Sequence, residues 1–454
     1  MDPLRSILHR VSYGVYLGAT FLARWVPLPV LFLAGRLLGL CAYGVLPRRR
    51  RLAISNLRNG LRLPEPAARR LAREHFLTLG ANLLSMLKVP SMSDAAIWRH
   101  VTFEVKPAVP REPSAIHWVA VLSHMGNWEL LTRLAPLFPQ LRFGAIYQKF
   151  ANPHVNEHFC QSRARRGVTL FDRREGFWTA ASFLESGGVV GVLTDQYAGD
   201  SGTWMPFFGR LTSTSTLPGT LASRVGAEIV PIVVTTTGLA RWKVTVGDPL
   251  PRSESPEQAA AVVNRELERQ IAASPADWLW AHDRWKTPRL GFLLSASKRR
   301  VFFPLDFDRR DLMAYRILIR SVESLDEAKI SLPAVQAIKN GRPDARVTVL
   351  TSEGLAEFWG GVAEVDEVLS FSEDESCFQI AGKISRAGRF DVGILFSATD
   401  HAARELFLAG VPYRFGPPRR FLLNSWKNPP GVPTPEREGA ERYRRIAQAA
   451  GAAM

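Results

Sequence analysis

The chain has 454 residues, 46% of them hydrophobic and 22% charged, which supplies core for roughly two or three packed domains and excludes wholesale disorder. Its formal net charge of +16 favours anionic partners such as acidic phospholipid, phosphorylated substrates or an acidic protein. There is no zinc-finger, basic-zipper or RNP-like pattern to favour nucleic acid, and three scattered cysteines (Cys41, Cys160, Cys377) argue against a disulfide framework or a cysteine zinc site.

Residues 1–50 are expected to form hydrophobic, membrane-associating helices. Arg24 and Arg36 divide this stretch into uncharged runs at 11–23, 25–35 and 37–47, each short of the roughly 20 residues that span a bilayer. A basic cluster, Arg48 to Arg51, follows and suits an anionic cytoplasmic leaflet. A compact apolar core followed by a small-residue cleavage site, as in a secretory signal, is not evident. Interfacial helices with snorkelling arginines are the favoured reading, a buried helical pair or a single span the alternatives.

Residues 51–100 read as helical, with Leu71, Phe76, Leu79, Leu83, Leu84 and Leu87 at helical spacing after Pro64-Glu65-Pro66. From 116 the pattern alternates. Strands are expected at 116–122, 143–147, 189–193 and 229–235, and helices at 127–137, 155–166, 176–185, 216–225 and 257–274. Such alternation implies an α/β sandwich with a largely parallel sheet, here one domain of residues 51–290. The polar run Ser295 to Arg300 marks a linker over 291–310. A second α/β series follows at 311–454, with strands at 315–320, 346–350 and 392–396 and a helix at 328–340, the beginning of a Rossmann-like half-domain.

The stretch "VLSHMGNWEL" (121–130) places His124 at the tip of a predicted strand and Glu129 in the first turn of the following helix. The spacing is no commoner than chance allows, but the position is where parallel α/β proteins set their chemistry. A carboxylate near a helix N-terminus stays ionised and can orient an imidazole, leaving its other nitrogen to take a hydroxyl proton.

"HMGNWE" resembles the His-x-x-x-x-Asp/Glu signature of glycerolipid-type acyltransferases, and specifically the bacterial lipid A biosynthesis acyltransferases. An ordered series of further segments is similar to that family: "RRRRLAISNLRNGL" (48–61), "YQKFANP" (147–153), "RARRGVTLFDRR" (163–174), "VLTDQ" (192–196), "PFFG" (206–209) and "DWLWAHDRWK" (277–286). The resemblance covers about residues 1–290. It implies His124 as general base, Glu129 as its orienting partner, and Arg163 and Asp195 as additional active-site residues. Arg163 would supply positive charge to an oxyanion or bind an acceptor phosphate, with Asp195 fixing Arg163 or closing the pocket. Asn127, Gln148, Lys149, Arg166 and Gln196 are the candidate substrate-binding residues. Gln148 stands where the family often has Arg, and Asp283 where a basic residue is common, so acceptor recognition is expected to differ in detail. His282 reads as a structural hydrogen-bonding residue. Trp278, Trp280 and Trp285 fit either an acyl surface or core packing.

The family implies acyl transfer from acyl carrier protein or acyl-CoA to a hydroxyl of a lipid A-like or other glycolipid acceptor. It implies no metal and no cofactor, and a place on the cytoplasmic face of a bacterial inner membrane, with carrier protein, anionic lipid and glycolipid as partners. The segment 316–371, with Leu332-Pro333-Ala334, Arg342-Pro343-Asp344-Ala345 and the later "FDVGILF" (390–396), resembles the start of a heptosyltransferase-type (family 9) glycosyltransferase. Asp326-Glu327 replaces the usual Gly-Asp and only one half-domain is in view, so residues 311–454 are expected to be a degenerate acceptor-side or regulatory module. The alternatives are a non-catalytic glycolipid-binding scaffold, which the intact His124 and Glu129 disfavour, and a bifunctional acyl- and glycosyltransferase.

Overall fold

The computed structural model describes residues 3–107, 116–200, 202–288, 291, 293–295, 299–397, 399–416 and 439–452. Residues 292 and 296–298 of the expected linker lie outside the described residues. The chain divides into two compact units: Met1–Ala198, Met205–Phe208 and Thr212–Trp285 form the first, and Gly199–Trp204, Gly209–Leu211 and Lys286–Met454 the second.

The first unit opens with four helices, α1 (Pro3–Trp25), α2 (Leu28–Val45), α3 (Pro47–Gly60) and α4 (Glu65–Met86). A proline stands at or near the first position of α2, α3 and α4, where its missing N–H costs nothing and its fixed φ is already helical. The contact between α2 and α4 is set by glycine. A Cβ on Gly35 would sit 2.5 Å from the Gly80 carbonyl oxygen, and one on Gly39 would collide with the Phe76 carbonyl. With no side chain between them the two backbones touch, and Arg36 on the same helix pairs with Glu74 at 3.0 Å. The opposite face of α2 leaves Val30, Leu33, Leu37 and Leu38 more than half exposed. α2 is also the one described helix long and apolar enough to cross a membrane by length and composition, with a mean hydropathy of 1.8.

α1 is held by its ends. The Lys88 ammonium donates to the Ala23 and Arg24 carbonyls at 3.2 and 2.9 Å, which satisfies orphan acceptors of the last turn. The Asn152 amide donates to the His9 carbonyl at 2.7 Å while its oxygen caps the helix Pro153–Ala164. Leu4, Leu8, Val11, Val15, Phe21, Leu22 and Trp25 remain exposed along α1.

Among the described residues nine strands follow: β1 (Val101–Val105), β2 (His117–Leu122), β3 (Phe143–Tyr147), β4 (Val168–Asp172), β5 (Gly188–Leu193), β6 (Thr203–Phe207), β7 (Arg210–Thr214), β8 (Glu228–Gly238) and β9 (Arg241–Val246). β6 and β7 pair as a ribbon, and the other seven form a sheet in the order β1-β9-β8-β2-β5-β3-β4. All its pairings are parallel except β8 with β9, which join through a tight turn at Ala240 (φ 50°). Residues such as Val119, Val121, Val190 and Val230 are fully buried, as expected of parallel strands covered on both faces. β2 and β5 lie side by side at the centre, with His117 opposite Gly188 and Leu122 opposite Leu193. Trp278, Trp280 and Trp285 are core residues, clustered with Leu57, Phe76, Val121, Met125 and Phe207.

Residues 127–137 are not one α-helix. They form a 3-10 turn, Trp128–Arg133, and a short helix, Leu134–Leu137. Pro136 has no N–H to give to the carbonyl four residues back, and the Arg133 guanidinium is tied to Asp94 and to the Val89 and Met92 carbonyls.

The second unit carries a five-stranded parallel sheet of β10 (Tyr315–Arg320), β11 (Ala345–Ser352), β12 (Glu367–Phe371), β13 (Val392–Leu395) and β14 (Tyr413–Phe415), in the order β12-β11-β10-β13-β14. This is the doubly wound order, reversing beside the first strand. Ile317, Ile319, Val347, Val349, Ile394 and Trp359 fill one face, and Leu318, Leu350, Ile380, Ile384 and Leu406 the other. Both units are therefore α/β, as the alternating pattern implies. Replacing Gly39 with Leu is expected to lower stability by at least about 1–3 kcal/mol through overpacking against α4. Leu37→Ala on the open face should cost under about 0.5 kcal/mol. Chemical denaturation of the two variants, side by side, checks the difference.

Candidate active site

β2 and β5 pair as far as Leu122 and Leu193, and the residues two positions past those ends, His124 and Asp195, meet. Both are anchored there. The His124 backbone N–H donates to Asp195 Oδ2 and its Nδ1 lies against Asp195 Oδ1, each at 2.8 Å. Trp278 Nε1–H donates to Oδ2 of the same carboxylate at 2.8 Å. Asp195 is only 2% exposed, so its charge is tolerated because these donors replace water.

The turn that presents His124 depends on Gly126. Its φ is +53°, and a Cβ there would lie 2.6 Å from the Val234 carbonyl oxygen of β8, so glycine alone meets both the conformation and the space. Met125 bridges to Trp278 in the same turn. The Trp128 ring meets the imidazole edge-on at 5.2 Å.

Hydrogen bonding sets the imidazole's state. An ionised carboxylate at Nδ1 requires the proton on that nitrogen, which leaves Nε2 as the lone-pair side. The Gln196 amide stands 3.4 Å from Nε2. Burial pulls the His124 pKa down, but the charge and hydrogen bond of Asp195 outweigh it and the net value is raised above 6.5. Burial raises the Asp195 carboxyl, yet the His124 contacts and the Trp278 donor bring it down to about 2.

Glu129 does not touch His124. Its Oε1 accepts from Arg163 Nη2 at 2.5 Å, and the Arg163 guanidinium lies over the Phe159 ring, 3.7 Å from its centre. The two carboxylates thus exchange the partners expected from sequence. Glu129 is the second residue of the 3-10 turn Trp128–Arg133 and pairs with Arg163 of the helix Pro153–Ala164, whereas Asp195 meets His124 just past the ends of β5 and β2.

His124, Glu129 and Arg163 line one cavity of about 740 Å³, with Gln148, Lys149, Arg166 and Gln196 on its wall. Asn127 is fully buried and lies outside that lining. The apolar lining includes Leu83, Met86, Val155, Phe159 and Leu217, a composition suited to an alkyl chain in a cavity that also holds polar groups. Gln148 accepts from Arg173 at 3.2 Å, Lys149 approaches Asp172 at 3.5 Å, and Arg166 donates to the Pro90 carbonyl at 2.7 Å. Sequence reasoning missed Tyr16 and Trp128 in the lining and the role of Trp278 behind Asp195. The Trp-rich stretch was visible, but only the fold shows which indole reaches the carboxylate.

His282 is a structural residue. Burial lowers its pKa to about 4, and its Nε2 accepts from the Tyr197 N–H at 3.4 Å. The buried pair of His124 and Asp195 also links stability to pH. The raised histidine contributes stability fully present below 6.5 and lost as pH rises through its folded value. The lowered aspartate contributes stability present above 3.8 and lost as pH falls towards 2. Asp195→Asn should therefore destabilise the protein more at pH 5 than at pH 8, as read from urea unfolding at the two values.

The chain is similar over residues 2–287 to the family profile described as bacterial lipid A biosynthesis acyltransferase. It is 27% identical over 303 residues to the lipid A biosynthesis palmitoleoyltransferase of Escherichia coli K12, covering 63% of this chain and 95% of that protein. It is 26% identical over 302 residues to the lipid A biosynthesis lauroyltransferase of the same organism, covering 62% and 94%. Among solved structures, E. coli ADP-heptose LPS heptosyltransferase II matches 29% of this chain and 40% of its own, at 20% identity and a TM-score of 0.25. A family 9 glycosyl transferase from Veillonella parvula matches 31% and 43%, at 15% identity and a TM-score of 0.28. With its matching region containing the whole cavity and the sheet that builds it, the chain belongs to the bacterial lipid A biosynthesis acyltransferase family.

Proposed function

We propose that this acyltransferase moves a fatty acyl chain from acyl carrier protein, or from acyl-CoA, directly to a hydroxyl of a lipid A-like acceptor at a membrane surface. The observation that carries the reading is His124, fixed by Asp195 through Nδ1 with Nε2 directed to Gln196 beside the cavity. The acceptor hydroxyl takes the place of the Gln196 amide at Nε2 and gives up its proton there as its oxygen attacks the thioester carbonyl. The carbonyl becomes a tetrahedral oxyanion. Its collapse breaks the carbon–sulfur bond, and the leaving thiolate takes the proton back from His124, so atoms and charge balance without an acyl-enzyme, a metal or a cofactor.

Asp195 holds the imidazole in the tautomer this requires and stabilises the imidazolium that forms. Glu129 holds Arg163 on the cavity wall, and the guanidinium supplies positive charge near the developing oxyanion. The alkyl chain occupies the apolar side of the cavity.

Membrane association is supported by the exposed apolar residues of α1 and the outward face of α2, with Arg48 and Arg51 next to them in the chain. This pattern suits helices lying in an interface with cations at the lipid headgroups. The net charge of +16 suits an anionic leaflet and an acidic carrier protein, hence the cytoplasmic face of an inner membrane. Residues 311–454 would serve as an acceptor-side or regulatory module.

His124→Ala should reduce acyl transfer at least ~100-fold while leaving the folded spectrum intact, in an assay of labelled acyl carrier protein with membrane glycolipid. Retained full activity would remove His124 from the mechanism. In pH–rate profiles, the acid limb of the native enzyme should lie above pH 6.5 because only neutral His124 accepts the proton. Asp195→Asn should lower kcat ~100-fold or more and move that limb to lower pH. Glu129→Gln should weaken transfer by releasing Arg163 and leave the limb where it is.

A further inference from the structure

Beside the main cavity lies a second one of about 530 Å³, lined by Arg165, Arg166, His158, Gln161 and Ser162 on the helix Pro153–Ala164 and the turn that follows it. Pro90, Ser162 and Arg166 line both, so the two are adjoining recesses of one concave surface. The main cavity combines many apolar residues with His124, Lys149 and four arginines. The side recess, apart from Pro90 and Pro136, is lined by polar and charged residues alone, among them Arg165, Arg166 and His158. Its single acidic residue, Asp94, is taken by the buried Arg133 at 2.8 Å.

From these features we infer that the side recess is a phosphate subsite for the lipid acceptor, an inference that rests on the acyl-transfer reading above. Arg166 is steadied by its bond to the Pro90 carbonyl at 2.7 Å, which holds it at the boundary between the recesses. Arg165 caps the helix through its backbone, its N–H reaching the Gln161 and Arg163 carbonyls, and its side chain is exposed along the recess. Two arginines lining one hollow supply the paired donors and double charge that suit a phosphate monoester. A branched substrate fits two adjoining recesses: its hydroxyl at His124 and its phosphate at Arg165 and Arg166.

The test measures steady-state transfer by the full-length enzyme to a glycolipid acceptor bearing a phosphate monoester and to the same acceptor after phosphatase treatment. Arg165→Ala and Arg165→Glu are compared with the native enzyme. Arg165 lies outside the main cavity and its backbone cap survives substitution. The expected result is an acceptor KM raised about tenfold by Arg165→Ala, and further by Arg165→Glu, with kcat and donor KM unchanged. The dephosphorylated acceptor should show the raised KM already in the native enzyme and respond to neither substitution. An equal effect on both acceptors, or a change in donor KM instead, would overturn the assignment. If the native enzyme acylates neither acceptor, the acyl-transfer reading itself fails, whereas transfer with an acceptor KM indifferent to Arg165 removes only the subsite.

Discussion

The candidate site depends on one interaction, the two-point hold of Asp195 on His124 across the ends of adjacent parallel strands. The backbone bond fixes where the residue sits, and the Nδ1 bond fixes which way the ring faces and which nitrogen carries the proton. Neither contact needs a loop to close on substrate. The rigid centre of a seven-stranded sheet delivers both partners, and Trp278 holds the carboxylate from behind. Such a carboxylate would be expensive to bury alone, so the three donors and the low dielectric reinforce one another. The same environment that makes the pair strong makes it directional.

With the imidazole secured by Asp195, Glu129 is released for a separate task. It meets Arg163 on a different helix, over Phe159, and keeps the guanidinium from swinging into solvent. The site thus contains a hydrogen-bonded histidine–carboxylate pair and a separate arginine–carboxylate ion pair. At the amino-terminal end, glycine-mediated contact between α2 and α4 draws one face of an apolar helix into the folded unit and leaves the other bare. Tyr16 of the neighbouring helix in sequence, α1, contributes to the cavity wall.

Much of this was legible in the sequence. The strand ending at Leu122 and the helices around it follow from uninterrupted apolar runs and their spacing, and the ordered motifs single out His124, Glu129, Arg163 and Asp195. What the sequence does not carry is which of these touch. Glu129 is five residues from His124 and Asp195 is 71 away, so local proximity favours the wrong carboxylate. The register of β2 against β5 is a tertiary property and decides the matter. The 3-10 turn at Trp128–Arg133 escaped for a related reason: Arg133 reaches three groups on a distant segment, and Pro136 breaks the helical ladder from within. Asn127, expected among the substrate-binding residues, is fully buried and outside the cavity lining, a placement that only the folded turn reveals.

The account is tested most directly by titrating His124 in the native protein, followed by nitrogen-15 NMR of histidine-labelled enzyme with His124→Ala used to assign the signal. It predicts a neutral form protonated at Nδ1 with Nε2 bare, and a pKa above 6.5. A neutral form protonated at Nε2, or a pKa at or below 6.5, would show that Asp195 does not hold the imidazole and would contradict the arrangement on which the proposed chemistry rests.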